Sequence, residues 1–189
     1  MAATHSEITP EFAAWIADQP LFFVASAPLA GDGHVNVSPR GLDTFRVLTP
    51  RQVAYLDLTG SGNETAAHLH ENGRITLMFC GFAGKPRILR LYGQGRVIVP
   101  GVPDWPGLRG EFPADLPGVR QIVTVELHRI QTSCGFGVPL MDYRGQRDTL
   151  AQWAQRKEAQ QGLKAYRDEK NARSLDGLPA PGWAPESGS

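Results

Sequence analysis

This chain of 189 residues lacks net charge: nineteen Lys and Arg balance nineteen Asp and Glu. Without a basic excess to displace counterions, a general nucleic-acid binder is not expected, and binding to anionic membranes loses the same support. Cysteine is scarce as well. Cys80 and Cys134 stand far apart in unlike contexts, with neither a CxxC pair nor zinc spacing. Long apolar runs are missing too, since residues 21–25 fall far short of the ~20 that a spanning helix needs. The first residues hold no basic stretch followed by an apolar segment, so no secretory signal is expected and a reduced, cytoplasmic protein is the simple reading. Three catalytic or nucleotide signatures are absent: the GxSxG elbow, the GxxxxGK[ST] loop and a GxGxxG at the start of a helix. Hydrophobic residues, at 41%, suffice for one core that needs neither disulfides nor a metal.

Glycine and proline are plentiful instead, 21 and 15 of them, which points to many turns and short elements. Residues 9–16 open like a helix, with Thr9 as cap, Pro10 at the first position, and Phe12, Trp15 and Ile16 on one face until Pro20 stops the run. Strands are predicted at 21–27, 34–40, 45–48, 53–58, 74–82, 87–99 and 119–131. In the second of these His34, Asn36, Ser38 and Arg40 alternate with Val35 and Val37, and Pro39 places its end at a sheet edge or bulge. A short helix is predicted over 64–72, closed by Gly73. Residues 100–118 read as a long loop. A polar helix at about 145–173 carries a thin stripe of Leu150, Trp153, Leu163 and Tyr166, so it lies outside the sheet or reaches a partner chain. The last sixteen residues read as a mobile tail, with the domain spanning 1–180 and its flexible end 181–189. Short strands without helical crossovers exclude a doubly wound parallel sheet. They predict a mainly β fold, a six- to seven-stranded antiparallel barrel with peripheral helices.

Four places can carry chemistry. Gly60-Ser61-Gly62-Asn63-Glu64-Thr65 follows a strand and opens a helix, with Ser61 and Glu64 matching a capping box. It reads either as an ordinary capped helix or as an anion site of backbone N–H groups. The face of His34, Asn36, Ser38 and Arg40 is either solvated or a row of donors along a groove, with Arg40 suited to a phosphate. Arg90, between Ile88 and Tyr92, lies along a surface or serves a ligand or subunit interface. Residues 132–139, with Cys134, Gly135 and Phe136, read as a tight turn packed against something flat, and no His-plus-acid arrangement stands near Cys134 to make it a nucleophile. His68 and His70 stand two apart on a helix, which reads as a solvated surface rather than a metal pair.

Taken in order, these segments resemble the pyridoxamine 5′-phosphate oxidase-like flavoproteins, the FMN-binding split β-barrels. The resemblance rests on residues 34–41, on 57–65 with His68, Glu71, Asn72, Gly73 and Arg74, on 78–80, 90–93 and 133–139, and on 176–179. It implies a homodimer with FMN at the subunit interface. Asn36, Val37, Ser38 and Arg40 would lie along FMN, with Arg40 on its phosphate. Ser61, Gly62, Asn63, Glu64 and Thr65 would line the phosphate and ribityl chain, and Arg90, Cys134, Gly135 and Phe136 would approach from this or the other subunit. The true oxidases carry Arg-x-Val-Leu-Leu-Lys where this chain has Asn36-Val37-Ser38-Pro39-Arg40, and an arginine-containing end where this chain has residues 180–185 without arginine. The implied activity is an FMN-dependent oxidoreductase acting on an unidentified small molecule by hydride transfer through flavin N5. Alternatives are a protein that binds the deazaflavin F420; a haem protein with His34, His68 or His128 as nominal axial ligand; a flavin-holding protein without turnover; and an interaction module.

Overall fold

The computed structural model describes residues 2–182. Helix α1 (Pro10–Ala17) starts where the Thr9 hydroxyl accepts the Phe12 N–H at 3.2 Å, and it buries Phe12 and Ile16. The strands are β1 (Ala3–His5), β2 (Phe22–Ser26), β3 (Asn36–Arg40), β4 (Phe45–Thr49), β5 (Gln52–Leu58), β6 (Arg74–Cys80), β7 (Ile88–Ile98) and β8 (Val119–Ser133). They form one antiparallel sheet in the order β3-β2-β6-β7-β8-β5-β4, with β1 added on β8. Pro39 does sit on an edge strand, β3, where its missing N–H costs no ladder bond. The three-residue β1 went unpredicted because it is too short to show a period.

Strands β2 and β4 have four others between them in the sheet, yet the Phe22 and Phe45 rings lie 5.1 Å apart. Phe79 packs on both rings, at 5.6 and 5.0 Å. The sheet therefore curls into a barrel that side chains close. The interior holds Val24, Leu77, Leu89, Leu91, Val123 and Val125, all fully buried. Each such side chain contributes roughly 1.5–3 kcal/mol of burial. A second cluster lies on the outer face of β5 and β8, where Leu56, Ile98 and Ile122 meet Phe112. Its cover comes from the expected loop, which contains a helix, α3 (Trp105–Gly110). Six residues with an internal Pro and Gly are too few to display helical periodicity.

Helix α2 (Glu64–Glu71) lies against β7 because Gly95 leaves room. A Cβ there would stand 2.8 Å from Leu69 Cδ2. The predicted single C-terminal helix is two, α4 (Thr149–Ala159) and α5 (Leu163–Lys170), parted by Gln161 at φ 52. Folding back brings the Trp153 and Tyr166 rings within 4.9 Å, so two members of the thin stripe cover each other. Part of the expected mobile tail is docked: Ser174 and Ala180 are buried, and the Ala180 N–H donates to the Ala172 carbonyl at 2.9 Å. Of the expected tail, residues 183–189 lie outside the described residues. Among the described residues no helix is long and apolar enough to cross a membrane.

Candidate functional site

Strand β3 turns Asn36, Ser38 and Arg40 inward and leaves Val37 61% exposed on its other side. Facing it, β5 and β8 run in register from Val53–Val125 to Asp57–Gln121, and then Leu58 pairs with Val119. Arg120 is thus the extra residue of a β-bulge, which re-aims its side chain. Both Arg120 and Gln121 reach Asp57. The Arg120 Nε and Nη2 donate to Asp57 Oδ2 at 3.1 and 2.7 Å, and the Gln121 amide donates to the same oxygen at 2.7 Å. Arg120 Nη1 donates to the Gly62 carbonyl at 2.8 Å, tying the 60–63 loop to the sheet.

Arg40 approaches from across the split, its Nη1 2.5 Å from Asp57 Oδ1. The pair is close but poorly aligned, because neither Asp57 Oδ1 nor Arg40 Nε has a hydrogen-bond partner among the described residues. Burial alone would push the Asp57 carboxyl up. Arg120 and Arg40, with the Gln121 amide, outweigh burial and hold it below the ordinary carboxylate value. Burial likewise opposes the charge on Arg40, and Asp57 more than restores it. The Tyr55 phenol beneath Arg40 is driven up by burial. Two guanidinium groups thus share one carboxylate, so the deep wall carries a surplus of positive charge.

Arg40 and Arg120, with Asn36 and Ser38, line a cavity of about 540 Å³ together with residues 60–65 and Leu175. The N–H groups of Ser61, Gly62 and Asn63 have no acceptor among the described residues, and a Cβ on Gly60 would stand in open space. Asn63 caps α2 by position only. Its side chain, 2% exposed, donates to the Asn171 carbonyl at 3.1 Å and accepts from Gln121 at 2.8 Å. The 171–180 segment straps the rim. Asn171 donates to the Gly60 carbonyl at 3.1 Å, the Leu175 N–H donates to Glu64 at 2.9 Å, and Asp176 accepts the His34 N–H at 2.8 Å. Asp176 also meets His34 Nδ1 at 2.6 Å, which raises the imidazole pKa and lowers that of the carboxyl.

Asn36, Ser38, Arg40 and residues 61–65 therefore meet at one cavity, as the sequence predicts. Arg90 and 134–136 do not. Arg90 donates to the Ser133 hydroxyl at 3.1 Å elsewhere on the barrel, and Phe136 is 82% exposed rather than packed on anything flat. The capping box is not formed: the helix starts at Glu64, which puts Ser61 outside it, and Glu64 turns to the strap. His68 is a further correction, being wholly buried with Nδ1 2.9 Å from the Ser26 hydroxyl and its pKa lowered by burial. None of His34, His68 and His128 lines the cavity. Asp57, Arg120 and Gln121 went unread as site residues. A cation inside an apolar strand was the available signal, and Arg120 carries it as plainly as Arg90. Among the described residues, no cluster of three or more His, Cys, Asp or Glu could hold a metal.

A model of the pyridoxamine 5′-phosphate oxidase family matches residues 8–130. The pyridoxamine 5′-phosphate oxidase family protein ustO of Aspergillus flavus is 44% identical over 180 residues, covering 87% of this chain and 72% of its own. Among solved structures, a variant of HupZ from Group A Streptococcus superposes with a TM-score of 0.52 at 19% identity, over 67% of this chain and 99% of that one. A Clostridium acetobutylicum protein of the pyridoxinephosphate oxidase family, related to general stress protein 26, does so with 0.50 at 12% identity, over 74% and 94%. At such identities the likeness is one of fold, the split barrel with its peripheral helices. The chain belongs to the pyridoxamine 5′-phosphate oxidase family.

Proposed function

We propose that this protein binds FMN with its phosphate in the cavity between β3 and the start of α2, and acts as an oxidoreductase on a small molecule. The observation that carries the reading is the convergence there of Arg40, the partnerless N–H groups of residues 61–63 and the open face at Gly60. Such a set of donors suits a phosphate. Glu64 and the strap residue Asp176 stand at the rim, so a second phosphate further out would meet carboxylates. That favours a mononucleotide over a dinucleotide. When bound, the flavin supplies a two-electron acceptor at ring nitrogen N5. The chain's own residues then bind and orient: Arg40 and the loop hold the phosphate, and Asn36 and Ser38 face the bound molecule along β3. No protein nucleophile is required. Arg90 and residues 134–136 lie away from the cavity of their own chain, and a second copy bringing them to it makes the assembly a homodimer.

The test is the visible spectrum of freshly purified protein, followed by denaturation and identification of the released chromophore. The two absorbance bands of oxidised flavin and released FMN are expected, with bleaching by a reductant and recovery in air. A protein that stays colourless after loading with excess FMN overturns the reading. A deazaflavin or a haem Soret band in its place would redirect it.

A further inference from the structure

We propose that a second cavity, on the other side of Arg40, binds a small molecule with a flat apolar body and a single carboxylate. Its volume is about 440 Å³, and among the described residues it shares Pro39 and Arg40 alone with the polar cavity. Its walls are the 41–44 turn, the β5 side chains Leu56 and Leu58, the irregular 143–147 segment, and Leu150 at the start of α4. Leucines dominate, with Leu21, Leu42 and Leu150 completing the apolar lining, so an apolar body is favoured by burial. Among the described residues no Asp or Glu lines it, whereas Arg40 and Arg147 do. Arg40 is shared between Asp57 and, on the flavin reading, the phosphate in the polar cavity, whereas Arg147 makes no ion pair among the described residues. One uncommitted guanidinium matches one negative charge, while a phosphate monoester asks for several converging donors.

The cavity is built rather than incidental. Leu42 holds φ 63, a left-handed conformation that a bulky residue adopts only when its surroundings enforce it. The enforcement is visible: Thr44 Oγ1 donates to the Gly41 carbonyl and the Leu56 N–H donates to the Thr44 carbonyl, both at 2.8 Å. Opposite, Gln146 donates to the Pro20 carbonyl at 2.7 Å and lies so close to Gly41 that a Cβ there would stand 2.6 Å from Gln146 Oε1. Gln146 thereby ties the 143–147 segment to Pro20 and lays its side chain against Gly41. That this cavity serves as the substrate site rests on the flavin reading, since it adjoins the phosphate cavity; its ligand chemistry does not.

The experiment titrates 2-naphthoate, 2-naphthylmethanol and pyridoxamine 5′-phosphate into the protein, with and without FMN, by calorimetry. Saturable binding of one naphthoate per chain is expected, with the neutral alcohol and pyridoxamine 5′-phosphate both weaker. Arg147→Ala is expected to weaken naphthoate about tenfold, the low end for a hydrogen bond to a charged group, and leave FMN content unchanged. Leu150→Trp, which fills the cavity from its rim, is expected to abolish naphthoate binding. Absence of naphthoate binding overturns the proposal, as does equal affinity in Arg147→Ala. Release of FMN by naphthoate also overturns it, because the cavity would then seat the flavin ring. Naphthoate binding to a protein that takes up no FMN upholds this ligand chemistry and overturns the flavin reading alone.

Discussion

The two ends of the β5–β8 ladder are equally dry and chemically opposite. At one end Val53 and Tyr55 face Val123 and Val125, each fully buried in the barrel interior. At the other, Asp57 and Arg120 are 2% and 1% exposed and Gln121 is 1% exposed. The apolar end is stabilised by removal from water, roughly in proportion to area. The polar end is tolerable only because three side chains converge on one carboxylate, and removing that carboxylate leaves the others buried without their shared partner. The first kind of burial forgives substitution; the second does not, and it is the second that builds the cavity.

The largest effect belongs to Asp57→Asn. It strands two guanidinium groups, and a loss of about 3–5 kcal/mol is expected in urea unfolding. In the wild type Asp57 titrates below its ordinary value of 3.8, so its contribution is full above that pH and disappears as pH falls through the lower, folded value. The stability gap between wild type and Asp57→Asn should therefore close in acid. A gap independent of pH would break the contrast by showing that Asp57 is not ionised in the fold.

Arg40→Ala comes next, and separates binding from stability. Arg120 and Gln121 remain on Asp57, so the fold should lose less than in Asp57→Asn. FMN retention should fall by about 10- to 100-fold, the equivalent of a charge-assisted hydrogen bond of roughly 1.5–3 kcal/mol. Retention equal to that of Arg147→Ala, by dialysis and fluorescence, would remove Arg40 from the phosphate. Val123→Ala at the apolar end should cost about 1.5–2 kcal/mol, two methyl equivalents of burial, with no change in FMN affinity. Comparable costs for Val123→Ala and Asp57→Asn would erase the distinction between the ends.

The smallest effect lies at the rim, where His34 meets Asp176. Hydrogen bonding to Asp176 raises the His34 pKa above its ordinary 6.5, so the contact is fully charged below 6.5 and weakens as pH rises through the raised value. Hydrogen-exchange protection of residues 171–178, corrected for intrinsic rates, should be lower in His34→Gln at acidic pH and converge with wild type in alkali. Identical protection at every pH would mean that the His34 imidazole does not hold the strap, leaving the His34 backbone N–H, Glu64 and Asn171 to do so.

Most of the barrel was legible in the chain because its signals are local. Alternation in 119–131 and 87–99, the Thr9-Pro10 start and the Gly73 stop each depend on neighbours within a few residues, and each element formed there. The long C-terminal helix failed as a reading because its one local stop signal, Gly162, is surrounded by strong helix formers; the break falls at Gln161, and Trp153 packs on Tyr166 across it. His68 read as solvated because its polarity is local, while its burial against Ser26 depends on where α2 docks.

By itself, the sequence determined which segments are strands, β1 excepted, which face of β3 carries donors, and that a glycine-rich loop opens a short helix. Tertiary structure alone decided that Asp57 lies between Arg40 and Arg120, because that contact needs a bulge in β8 and the approach of β3 across the split. It alone decided that the 171–180 segment closes the rim, and that the Arg90 cluster lies elsewhere on the barrel. Periodicity is a property of adjacent residues and survives in a one-dimensional reading. The partner of a buried charge is set by the curl of the whole sheet, which brings together residues that no spacing along the chain relates.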